Sequence, residues 1–167
     1  MTDTLRPFVA EDIVDIRTAA ALLVTPDGRY LMQLRDDKAG IVLPNMWALF
    51  GGCVEANENP EAGLRRELLE ELELELEPGS LAYFSQMAFD AIYSDGGFRH
   101  RYFFEASIDP GVVDSLVLHE GAEMRLMTAD DIAREAFRFV PYDFTILCLH
   151  MLLQQDGVFN SDIGKAS

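Results

Sequence analysis

The chain has 167 residues, 49% hydrophobic and 25% charged, a balance that suits one soluble globular domain with a sizeable core. Its formal net charge of −16 repels nucleic-acid backbones and anionic membranes, so neither a nucleic-acid polymer nor a membrane is an expected partner. The apolar runs are too short to span a bilayer, and Cys53 and Cys148 match no metal or disulfide spacing, which points to a reduced, cytoplasmic setting.

Residues 1–17 read as an N-terminal extension, a leading strand or short helix with Pro7 early and Glu11, Asp12 and Asp15 behind it. Acids this close to the start, with no apolar core and cleavage site, read against a signal peptide. The apolar run Ala19–Val24, the turn residues Pro26, Asp27 and Gly28, and the alternating Tyr30, Met32 and Leu34 predict a β-hairpin. Residues 36–46 read as a loop closed by Pro44, and Trp47 to Phe50 resumes an extended run that Gly51 and Gly52 break. Asn57, Asn59 and Pro60 supply turn and cap chemistry for a helix over Glu61–Leu72. From Glu71 to Glu77 Leu and Glu alternate, the period of a strand, until Pro78 and Gly79 turn the chain.

Two longer strands, 81–93 and 98–108, joined by the turn Ser94–Gly97, predict a second hairpin. A short extended stretch, Leu116–His119, precedes a strand at Glu123–Met127, and Thr128 is placed to cap a short helix, Ala129–Ala136. The last helix, Tyr142–Gln154, is apolar nearly all round and is expected to be buried on most of its surface. Residues 155–167 read as a loose C-terminal tail. With no repeat or linker between them, these elements predict a single domain over residues 1–167, of α/β (α+β) class around a mixed sheet.

The helix carries the chemistry. Glu67, Glu70 and Glu71 stand at i, i+3 and i+4, so their carboxylates leave one face. Such like-charge pairs destabilise a helix by a few tenths of a kcal/mol each, roughly. A hard divalent cation such as Mg²⁺, Mn²⁺ or Ca²⁺ between them would reverse the sign. Taken alone, the same segment is also an ordinary amphipathic helix, with Leu64, Leu68 and Leu72 inward and charges in water. The residues upstream separate these readings.

Gly52 is followed after five residues by Glu58, after seven more by Arg66 and Glu67, and one residue past Leu68 by Glu70 and Glu71. This pattern closely resembles the signature of the Nudix hydrolases. The resemblance implies a Nudix-type α/β/α sandwich around a mixed β-sheet, which the order of elements fits. Two positions depart from the family's pattern. Glu73 stands where the signature ends in glycine, and Phe50 stands where many members carry proline. A glycine at 73 would serve as the left-handed C-terminal residue of the helix; Glu takes that conformation at a cost of about 1 kcal/mol, or the helix ends differently.

What the resemblance implies about activity is Mg²⁺-dependent (or Mn²⁺-dependent) hydrolysis of the diphosphate linkage in a nucleoside diphosphate joined to a group X: a sugar, a phosphate or a second nucleotide. The partner is then a small nucleotide, and the family's habit of dimerising makes a homodimer an expectation. Carried over by position, Glu67, Glu70 and Glu71 are expected metal ligands and catalytic carboxylates, and the backbone carbonyl of Gly52 is a further expected ligand. Arg66 is expected to pair with Glu58 and brace the loop on the helix. For a general base outside the signature, Glu120 comes first and Glu123 second, with His119 the rival on pKa grounds. Arg35, Arg99, His100 and Arg101 are candidate phosphate contacts, and Trp47, Tyr83, Phe89 and Tyr93 candidate base-stacking rings. Each also has a plainer role as a strand-surface charge or a core aromatic. The alternative reading is a catalytically inactive, Nudix-like nucleotide sensor, for which Glu73 is the sequence support.

Overall fold

A computed structural model describes residues 16–91 and 98–155. The readings for residues 1–15, for Tyr93 and the turn Ser94–Gly97, and for the tail from 156 onward lie outside them. In chain order the elements are β1 (Ile16–Val24), β2 (Tyr30–Leu34), β3 (Trp47–Ala48), α1 (Pro60–Leu72), β4 (Ala82–Asp90), β5 (Phe98–Ser107), α2 (Pro110–Val113), β6 (Glu123–Met127), α3 (Ala129–Arg134) and α4 (Pro141–Gln155), with a 3₁₀ turn at Ala136–Arg138 between the last two.

The first hairpin forms where the turn chemistry places it. Gly28 takes φ 81 and its N–H bonds to the Thr25 carbonyl. β1 and β2 pair there, at Val24 and Tyr30, and then part. β2 goes on to pair with β6 on one side and β3 on the other, while β1 runs parallel to β5 from Ile16 opposite Arg99 to Val24 opposite Ser107. β4 lies antiparallel to β5, with a bulge at Tyr83–Ser85. The sheet is therefore mixed, in the order β3-β2-β1-β5-β4 with β6 beside β2.

The parting of β1 and β2 leaves a gap, and residues 47–53 bridge it. Trp47 and Ala48 pair with β2, whereas Phe50 and Cys53 bridge to Ala21 and Thr18 of β1. This crossing lays Gly51 and Gly52 across the middle of β1.

Alternation along β1 sends side chains to two cores. Ala19, Ala21 and Leu23 pack with Phe104 and with Leu64, Leu68 and Leu72 of α1. Ala20 and Leu22 face the opposite layer, where Ile132 of α3 and Ile146 and Leu147 of α4 join Trp47 and Phe103. Helices thus cover both faces of the sheet.

Three expectations need correcting. The alternating Leu and Glu residues after α1 form no strand: Leu74 and Leu76 pack against the α1 core without a ladder partner, and Arg65 of the helix holds the Leu76 carbonyl at 2.9 Å. The helix after Thr128 stops at Arg134 and gives way to the 3₁₀ turn, though Thr128 and Asp131 do form a reciprocal capping box. α4 is buried along one stripe and not over most of its surface. Leu149 and Leu152 are exposed, while the buried stripe runs through Asp143, Ile146, Leu147 and His150. Both polar members of that stripe have partners, His150 lying between the Tyr30 hydroxyl at 2.8 Å and Glu105 at 3.1 Å.

Among the described residues, no helix is long and apolar enough to cross a membrane.

Candidate active site

α1 begins as its sequence requires. The Asn59 side chain accepts the Ala62 N–H at 2.8 Å, and Pro60 fills the first turn, where a missing N–H costs nothing. It ends at Glu73, which takes the left-handed conformation, φ 54 and ψ 25, that suits glycine. The Glu73 and Leu74 N–H groups bond to the Leu69 and Leu68 carbonyls, so the turn closes despite the side chain.

Between these ends the carboxylates occupy distinct environments. Glu71 is buried, and its Oε2 accepts the Gly51 N–H at 3.0 Å. Burial pushes its carboxyl up to about 8, reinforced by the charges of Glu120 and Glu67 and opposed by the Gly51 hydrogen bond. Glu67 is likewise pushed up, first by burial, against the pull of Arg66. Glu70 lies at the exposed rim, bonded to Arg66 one turn earlier at 3.2 Å.

Arg66 organises this face. Its Nε and Nη2 clamp the two oxygens of Glu58 at 3.2 and 3.1 Å, Nη1 reaches Glu67 at 2.9 Å, and Nη2 also holds the Cys53 carbonyl at 2.8 Å. The guanidinium holds the Glu58 carboxyl below its usual range, and the carboxylates in turn raise the arginine. Glu58 also accepts the Glu55 N–H, so the loop after Gly52 is tied to the helix through one side chain.

The two glycines meet different demands. Gly51 has φ 129, and a Cβ there would lie 2.2 Å from the Ala19 carbonyl oxygen. At Gly52 a Cβ would stand 2.5 Å from Oε2 of Glu67. The carbonyl of Gly52, expected as a metal ligand, faces β1 and accepts the Ala19 N–H at 2.9 Å. The glycine is thus explained by the carboxylate lying against it, and the backbone group of the pair that meets the acidic face is the N–H of Gly51.

Glu120, on the turn before β6, adds its charge to this face. Its charge raises both Glu67 and Glu71. Its main chain is held by Gln33, whose Nε2 donates to the Glu120 carbonyl at 2.9 Å. A small cleft lined by Gln33, Arg35, Asp36, Ile41, Glu120 and Gly121 opens beside it.

The two rivals for a base are occupied elsewhere. Glu123 sits on β6 against Arg125 at 2.7 Å, and the His119 ring meets Glu73 at 2.7 Å.

The candidate substrate cations separate. Arg35 borders the Glu120 cleft, its Nε on the Val42 carbonyl at 2.9 Å. Arg101 is buried, with Nε and Nη2 on the two oxygens of Asp143 at 2.9 and 3.2 Å, so it is a core cation and not a free phosphate contact. Arg99 and His100 precede it on β5, directed to opposite faces by the alternation of the strand. Of the aromatic candidates, Trp47 is fully buried with its indole N–H on Glu135 at 2.9 Å, and Phe89 is stacked on Tyr142 at 4.7 Å. Tyr83 is exposed and meets Phe104 edge-on.

Three residues of this region escape the sequence reading: Gln33, Asp143 and the Gly51 N–H. Asp143 did carry a signal, since an acid inside an otherwise apolar helix demands a buried partner.

Among the described residues, no three acidic, histidine or cysteine side chains converge tightly enough to form a finished metal site. The donor set nonetheless fits a hard divalent cation. Its atoms are carboxylate oxygens, two of the carboxyls are driven toward neutrality by burial and by each other, and Arg66 is the cation shared among Glu58, Glu67 and Glu70.

Comparison with known proteins follows the same lines. The NUDIX domain matches residues 15–148. The chain is similar to the nucleoside triphosphatase NudI of Escherichia coli O139:H28 (strain E24377A / ETEC), 47% identical over 57 residues, 34% of this chain. It spans 39% of the length of that relative. In fold it is similar to the ORF135 protein of E. coli, with TM-score 0.66 at 21% identity, over 90% of this chain and 96% of that one. It is also similar to a bifunctional NMN adenylyltransferase/ADP ribose pyrophosphatase from Francisella tularensis complexed with AMP and Mn ion, with TM-score 0.62 at 19% identity, over 88% of this chain and 43% of that one. With the glycine pair, the Arg66 clamp and the acidic helix face all inside the matched stretch, this chain belongs to the NUDIX domain family.

Proposed function

We propose that the chain is a Mg²⁺- or Mn²⁺-dependent pyrophosphohydrolase that cuts the diphosphate linkage of a nucleoside diphosphate derivative. The observation that carries this reading is the buried Glu71, which shares the face of α1 with Glu67 and whose carboxyl is raised first by burial and then by the charges of Glu120 and Glu67. An anionic substrate meets a chain of net charge −16, so local cation binding is what would make the approach favourable. The neighbour crystallised with AMP and Mn supports both halves of the reading, and the nucleoside triphosphatase relative favours phosphate as X.

Glu67, Glu70 and Glu71 are the oxygens that would hold the metal, with the Gly51 N–H fixing which way Glu71 points. The metal, when bound, would neutralise charge on the phosphate oxygens and acidify a water. Glu120 would take the proton from the attacking water at its carboxylate, while the phosphorus–oxygen bond to the leaving group breaks. Arg66 would keep Glu67 and Glu70 in place without touching substrate. Arg35, at the edge of the Glu120 cleft, is the cation best placed for a phosphate. The sensor alternative loses its support, because Glu73 closes the helix in the geometry a glycine would have given.

The test is a phosphate- and pyrophosphate-release screen over nucleoside triphosphates, nucleotide sugars and dinucleotides, with Mg²⁺ or Mn²⁺ present. Turnover of at least one class, abolished by chelator, is the expected result. Tight nucleotide binding with no hydrolysis of any class would overturn the proposal.

A further inference from the structure

Glu73 poses a question the hydrolase reading does not answer. A non-glycine residue at φ 54 is strained, and nothing in closing the helix needs its carboxylate. That carboxylate instead reaches across to His119, Oε1 to Nε2 at 2.7 Å. Both side chains are about half exposed, and such pairs add little to stability.

The pair sits at the start of the turn that carries Glu120. The N–H groups of Val117 and His119 bond to the Leu72 and Glu71 carbonyls at 3.2 and 2.9 Å, filling acceptors that the last turn of α1 would leave unpaired. The other side of the turn is fixed to β2: Gln33 holds the Glu120 carbonyl, and the Ala122 N–H bonds to the Leu34 carbonyl at 2.8 Å. Gly121, at φ 94, passes so close to Gln33 that a Cβ there would lie 2.8 Å from its Cγ. Glu120 therefore hangs between two anchors, one of which is the end of the metal-binding helix itself.

We infer that Glu73 and His119 are positioning residues for Glu120: their contact fixes the Glu120 turn to the end of α1, setting the distance of Glu120 from Glu67 and Glu71. The inference rests on the proposed hydrolase reading, in which Glu120 touches the reacting water. It explains why a strained glutamate occupies a position where glycine would relax the backbone. Neither residue needs to touch substrate.

The experiment compares Glu73→Gly, Glu73→Gln and His119→Ala on the full chain. Glu73→Gly relieves backbone strain, so its thermal midpoint is expected to match or exceed that of the parent. Its kcat should nonetheless fall by about five- to tenfold with KM little changed, the signature of a displaced catalytic group. His119→Ala should behave alike, and the double variant should lose no more than either single one. Glu73→Gln, whose amide oxygen still accepts from His119, should restore most of kcat. Amide hydrogen exchange at His119 and Glu120, read in metal-free protein, should quicken in Glu73→Gly and not in Glu73→Gln. Parental kcat together with parental exchange in Glu73→Gly would overturn the inference. A chain that hydrolyses nothing refutes the hydrolase reading, and the exchange arm then still decides whether the contact holds the turn.

Discussion

The buried pair between Arg101 and Asp143 invites the most direct test, because it decides between two roles for an arginine that sequence alone leaves open, a phosphate contact or a structural charge. Asp143 is fully buried and receives three donors: Arg101 Nε at 2.9 Å, Arg101 Nη2 at 3.2 Å and the Leu49 N–H at 3.0 Å. Burial pushes its carboxyl up, and the Arg101 guanidinium opposes that push. Arg101→Met keeps the unbranched apolar stem of the side chain but leaves a carboxylate in the core with one neutral donor. Removing one partner of a buried pair costs about 3–5 kcal/mol. Asp143→Leu strands the guanidinium and the Leu49 N–H and belongs in the same range. The double variant, Arg101→Met with Asp143→Leu, leaves the Leu49 N–H alone unpaired, a penalty of roughly 1–3 kcal/mol, so it should be more stable than either single variant. Urea unfolding followed by circular dichroism measures all three. If Arg101→Met kept the parental urea midpoint and raised KM instead, Arg101 would be a substrate contact and the structural account would fail.

Three further outcomes follow from the acidic face. For metal-free protein, the Glu71 carboxyl titrates near 8 in the fold against 4.5 when free, so the folded state holds the extra proton between those values. Stability should accordingly decline as pH rises from about 4.5 to 8, by at most about 1.4 kcal/mol per pH unit from this group. Glu71→Gln should flatten that slope in chemical unfolding while abolishing turnover; an unchanged slope would remove burial as the cause. Glu120→Gln should lower kcat by at least about tenfold while Mn²⁺ affinity, read by electron paramagnetic resonance, changes less. Parental turnover in that variant would take Glu120 out of the mechanism. Gly51→Ala, with the Ala19 carbonyl oxygen 2.2 Å from the new methyl group and φ 129, should cost about 3 kcal/mol, whereas Gly79→Ala, at φ 84 in open space, should cost about 1 kcal/mol. Equal thermal midpoints for these two would show that the close approach of Gly51 to β1 is absent in solution.

What the sequence disclosed and what it hid divide along physical lines. The cap and the extent of α1 were legible because Asn59, Pro60 and the spacing of Leu64, Leu68 and Leu72 act within a few residues of one another. The face of Glu67, Glu70 and Glu71 followed from helical geometry alone. Glu71 to Glu77 misled for the opposite reason. Its alternation records which leucines pack against α1, and whether such a segment joins a ladder depends on a partner strand that local sequence does not specify. The partner of Arg101 is hidden from local sequence because it lies 42 residues away, on a helix whose apolar pattern predicts burial of its neighbours without revealing which acid comes with them. At Gly52 the sequence shows the residue type but not its surroundings. The need was for space beside Glu67, and only the crossing of residues 47–53 from β2 to β1 shows which way its carbonyl turns.

The parallel pairing of β1 with β5 carries a consequence for how this protein comes into being. Ile16 meets Arg99, so all of α1 lies within the loop that this pairing closes. The first hairpin, which would be the natural local nucleus, contributes the single pair Val24 and Tyr30. Chains whose sheets depend on such distant partners must meet the entropy of loop closure before the contacts reward it, and they fold on the order of milliseconds to seconds. The acidic helix, the glycine crossing anchored on β1 and the Glu120 turn anchored on β2 are brought together by that same slow event. A nascent or partly unfolded chain therefore lacks the assembled acidic face, which should be complete only with the last step of folding.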